Sequence, residues 1–176
     1  MTYIELGLRL SLAGVFLVSG LAKARAIDVV ALMSTKLFDR ILPKWRRWSV
    51  KAAWGLVALE VMIGIALLFQ GVRIFSLIVA TGLLASFVLL ALFSARNVVR
   101  LDCACFGKAS TSLGWRHVWR NCTLLLFGVA ALSVPSENNG HAFDIGGVGA
   151  SVTAAAVVTL VTFFYDETLD MLSGNW

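Results

Sequence analysis

Long apolar runs separated by short polar, basic stretches set the rhythm of this chain. A helix needs about 20 mostly apolar residues to cross the hydrocarbon core. Runs of that kind occur at about 3–22, 52–69, 74–95, 118–134 and 145–165. The first tolerates Arg9, the second is interrupted by Glu60, and the third carries no charge at all. The fourth is short and has Arg120 near its start; the fifth is rich in Val, Thr and Ala. β-Branched residues favour strands, but at this length in an apolar chain they read as helix. The pattern therefore predicts an all-α polytopic membrane bundle of five spans, with four and six as alternatives. All of it forms one membrane domain, 1–176.

The connections differ in character. Residues 23–51 carry eight Lys and Arg against Asp28 and Asp39. Within them Val29, Val30, Leu32, Met33, Leu37, Phe38, Ile41 and Leu42 recur at helical spacing. That is the mark of an amphipathic helix in the interface, stopped near Pro43 and anchored by Trp45 and Trp48. Residues 70–73 make a tight turn, and 136–144, with Asn138-Asn139-Gly140, a polar loop.

Composition agrees with the pattern. Hydrophobic residues are 59% and charged residues 14% of the 176, against about a quarter charged in an average soluble domain. So few charges leave lipid as the solvent for most of the surface. The net charge of +5 comes from Lys and Arg between the apolar runs, which suits lipid head groups and topology control rather than nucleic acid. Basic residues concentrate in 23–51 and 96–117, placing those loops in the cytoplasm, the N-terminus outside and the C-terminus inside. The first apolar run reads as a retained helix. Glu5 precedes any basic residue, and no Ala-x-Ala site follows. The expected location is a bacterial cytoplasmic membrane.

Candidate chemistry centres on Cys103 and Cys105, between the third and fourth spans. A disulfide holds its Cα atoms about 4.4–6.8 Å apart, so alternate residues close one only across a bend. A bridge made under such tension is readily reduced, which suits passing oxidation to another thiol. Arg100 and Lys108 favour the reactive thiolate. The plain alternative is a pair of reduced thiols at a lipid interface. Cys122, at the start of the fourth span, is either a resolving thiol or a small packing residue. With His117 it completes a set of soft metal donors, but the spacing fits no zinc pattern and no metal is assigned.

Glu60 lies in mid-span, where a carboxylate needs a partner. It is either a proton acceptor or ligand group, or one half of a clasp to Arg9, Lys23 or a backbone group. Lys23 and the pair Arg120-Asn121 divide in the same way, between interface anchors and walls of a polar pocket. Gly20 and its small neighbours allow close helix packing.

Five features in order carry a resemblance: Phe16-Leu17-Val18-Ser19-Gly20-Leu21-Ala22-Lys23; Leu59-Glu60 with Gly64; Cys103-Ala104-Cys105-Phe106-Gly107; Gly114-Trp115; and Arg120-Asn121. Together they resemble the methylamine utilisation protein MauE family, within the wider DoxX-like membrane proteins. The resemblance implies a membrane thiol–disulfide redox protein that supports maturation of a disulfide-rich partner together with a thioredoxin-like protein. It makes Cys103 and Cys105 the redox pair, and Lys23, Glu60, Arg120 and Asn121 the polar core. A quinone is the cofactor such a pocket suggests. One tension stands. Disulfides form outside the cytoplasm, whereas the charge bias sets the cysteines inside. The rival functions are a non-catalytic subunit of a larger membrane complex, and a small transporter or metal handler.

Overall fold

The computed structural model describes residues 3–41, 43–96, 115–134 and 144–173, with side chains of 41 and 165–173 left aside. Among the described residues there are six α-helices and no strand. They are α1 (Tyr3–Arg25), α2 (Ile27–Ile41), α3 (Ser49–Ala66), α4 (Arg73–Ala95), α5 (Trp115–Ser133) and α6 (Ile145–Ser173). The protein is an all-α, integral membrane bundle. Four segments are long and apolar enough to cross a bilayer: Tyr3–Arg25, Pro43–Ala66, Gln70–Ala95 and Ile145–Phe164.

The fourth predicted run, 118–134, lies in α5. This helix has 19 residues, about 28 Å at 1.5 Å per residue, yet it does not meet the same test of apolarity. Its first two turns carry Arg116, His117, Arg120 and Asn121, the last three of them buried inside the bundle. Protein, not lipid, solvates those groups.

α1 is the hub, packing against α3, α5 and α6, while α4 packs along α5. Leu12, Ala13, Val15 and Phe16 of α1 meet Ile63 and Leu67, Leu77, Ala80 and Leu84 of α4, and Leu124 and Ala131 of α5. Outward-facing Phe75, Ile78, Leu89 and Phe93 of α4 stay exposed, as lipid-facing residues do. Apolar burial drives little association between helices in lipid, so fit and polar contacts must hold them together. Two glycines supply the fit between α1 and α3. A Cβ on Gly64 would sit 2.8 Å from Leu17 Cγ, and one on Gly20 2.8 Å from a methyl of Val61.

α2 follows α1 after a single residue, Ala26, and packs on α3. Val30, Met33 and Ser34 form its buried face, and Met33 clusters with Ala91 and Val118 at the ends of α4 and α5. The expected amphipathic helix is thus present and stops before Pro43. Its inner face covers one end of the bundle. Trp45 and Trp48, in the 3₁₀ turn Pro43–Trp48, are exposed.

Candidate functional site

Beneath α2, at the end of the bundle from which the 96–115 connection leaves and returns, lies a buried polar cluster. Lys23 is in the last turn of α1 and Glu60 in the second half of α3. Antiparallel packing over Gly20 brings the two together. Lys23 Nζ donates to Glu60 Oε1 and, at 2.7 Å, to Ser19 Oγ one helical turn back. The ammonium also sits 4.9 Å from the centroid of the Phe87 ring of α4. Lys23 is 2% and Glu60 0% exposed. Lys23 therefore does not snorkel to the head groups. Its charge is held inside because the carboxylate is there.

α5 adds the remaining polar groups. His117, Arg120 and Asn121 are all buried, and their spacing of three and four residues puts them on one helix face. Arg120 lies within electrostatic range of Lys23. A second cation thus stands beside the Lys23–Glu60 pair, and Glu60 Oε2 has no hydrogen-bond partner among the described residues. Such a site has capacity for a further hydrogen-bond donor at Glu60 Oε2.

The sequence-derived site residues therefore divide into groups. Lys23, Glu60 and Arg120 come together, with Asn121 beside Arg120 on the same helix. Of the partners considered for Glu60, the structure selects Lys23 and not Arg9. Cys122, a free thiol, packs half-buried against the cluster of Met33, Ala91 and Val118. Cys103 and Cys105, with the rest of Cys-Ala-Cys-Phe-Gly and Gly114, lie outside the described residues. No group of three or more His, Cys, Asp or Glu suited to a metal occurs among the described residues.

A second ionic cluster, absent from the sequence reading, occupies the other end of the bundle. Arg73 Nη1, at the start of α4, donates to Glu5 Oε1 at 2.6 Å. Arg9 Nη1 donates to Gln70 Oε1 at 2.5 Å. Glu5, Arg9 and Arg73 are 0, 4 and 9% exposed. The available signal was the spacing of Glu5 and Arg9, four residues apart and hence on one face of a spanning helix. A polar face there requires partners from another helix, and Arg73 at the following turn was the nearest candidate.

A family model described as methylamine utilisation protein MauE matches residues 1–134, and the chain belongs to that family. The match takes in α1 to α5 and both ionic clusters. No curated protein and no solved structure matches the chain.

Proposed function

Starting from that family membership, we propose that the protein is a membrane thiol–disulfide redox protein, with Cys103 and Cys105 as the exchanging pair. The observation that carries this reading is the buried Lys23–Glu60 pair, with Arg120 beside it, at the end of the bundle joined by the cysteine-bearing segment. In the exchange, a partner thiolate attacks the Cys103–Cys105 disulfide and forms a mixed disulfide. The partner's second thiol then attacks the partner's own sulfur in that mixed disulfide and displaces the cysteine still bound in it. The partner leaves oxidised by two electrons, and the pair is left as two thiols. Returning it to the disulfide requires an acceptor of two electrons and two protons, for which a quinone is the fitting chemical class. The roles of the described residues follow from their chemistry. Lys23 and Arg120 stabilise the thiolate by their positive field. Glu60 accepts a proton, and Asn121 offers hydrogen bonds to a polar head group.

The test is thiol counting across a graded glutathione redox series. Full-length protein is equilibrated at each ratio, quenched, and tagged with a mass-shifting maleimide. Two thiols should disappear together in the wild type and in Cys122→Ser. In Cys103→Ser/Cys105→Ser the remaining thiol, Cys122, should stay reduced at every ratio. Wild-type thiols that stay reduced at every ratio would sink the reading. Labelling of intact cells with a membrane-impermeant maleimide reports which side the pair faces. Labelling from outside would reverse the orientation that the basic residues suggest.

A further inference from the structure

The ionic cluster around Glu5 leaves one charge over. Glu5 and Arg73 neutralise each other. Arg9, within electrostatic range of both, is left with only the neutral Gln70 amide as its hydrogen-bond partner. Its Nε is buried without a partner. A buried guanidinium in a membrane protein needs an anion, and among the described residues Glu5 is the only carboxylate within range.

Gln70 is the link to the outside. It is exposed, in the 3₁₀ turn Gln70–Val72 between α3 and α4. It also lines a groove of about 590 Å³ whose other walls include Met62, Ile65, Phe69 and Val72. These four side chains are exposed and apolar. A cation behind an oily groove, at the turn where a span ends, complements an amphiphile with a negative head. We propose that this corner binds one anionic phospholipid. Arg9 and the Gln70 amide hold its phosphate, and one acyl chain lies along the groove. Arginine suits the task, since its fork of donors matches phosphate oxygens. The apolar walls give a lipid what a free anion cannot use. The site is independent of the cysteine chemistry.

Native mass spectrometry of the full chain in mild detergent tests the assignment. Phosphatidylglycerol and phosphatidylcholine with the same acyl chains are the probes, and inorganic phosphate is a third arm. The wild type should bind phosphatidylglycerol about tenfold more tightly than phosphatidylcholine, because the choline cation offsets the phosphate charge that the Arg9 guanidinium would meet. Arg9→Gln should remove that preference and Arg9→Lys should retain most of it. Ile65→Trp, which crowds the groove without touching a charge, should weaken binding of phosphatidylglycerol even if Arg9→Gln fails to fold. Equal binding of the two lipids by the wild type would overturn the proposal. So would full displacement by millimolar inorganic phosphate, which would mean a soluble-anion site.

Discussion

The two ends of the bundle solve the same electrostatic problem with different materials. Both bury an ion pair with a second cation nearby: Glu5 and Arg73 with Arg9, and Glu60 and Lys23 with Arg120. At the Glu5 end the cations are arginines, and the partners come from the tight turn and the first residue of α4. At the Glu60 end the bonded cation is a lysine, wedged between α1 and α3 under an aromatic ring and sealed by α2. Arginine keeps its proton in nearly any surroundings, whereas lysine and glutamate can exchange theirs when conditions change. The difference marks the first cluster as a fastening and the second as the better candidate for proton-coupled work.

That contrast can be broken by substitution. The largest effect is expected from Lys23→Met or Glu60→Leu, each leaving a buried charge unpaired at a cost of about 3–5 kcal/mol. The double variant should recover much of that loss, as read by unfolding of the purified protein in mixed detergent. If the redox role is right, its thiols should nevertheless titrate differently from those of the wild type. Next comes Arg73→Gln. The loss of its pair with Glu5 should cost about 2–4 kcal/mol, since this guanidinium is slightly more exposed than Lys23. The thiol titration should be unchanged. A shifted titration in Arg73→Gln would mean that the two ends are coupled and the division of labour is wrong. Gly64→Val should follow, at about 1–3 kcal/mol for an overpacked contact, by forcing α3 off Leu17. The weakest is Asp39→Asn. It removes an exposed pair with Arg46 at 3.6 Å and should change stability by less than about 0.5 kcal/mol.

Much of the architecture was legible because lipid imposes a simple rule of length and apolarity. The charge-free run 74–95 falls entirely within α4, and the 3.6-residue recurrence around Val30 and Met33 became α2. The rule weakened where protein replaces lipid as the solvent. The α5 run was short because its polar first turns are buried against neighbours. Within the site, Glu60 announced itself by its depth, but one sequence cannot say which of several cations reaches it. The crossing of α1 and α3 at Gly20 and Gly64 decides that, and it is a three-dimensional fact. The grouping of Glu5, Arg9 and Arg73 was overlooked for the opposite reason, Arg9 having been considered only as a partner for Glu60. Charges near span ends are ordinarily explained by head groups, and only the fold turns these three inward.

The hub position of α1 has a consequence for how the chain is made. Glu60 is 37 residues downstream of Lys23, and Arg73 is 68 downstream of Glu5. At about 5–20 residues per second of synthesis, the second interval lasts about 3–14 seconds. For that time α1 holds polar side chains whose partners in α3 and α4 have not yet been translated. Until then Glu5 and Arg9 have only each other, one turn apart and in the order that helices favour.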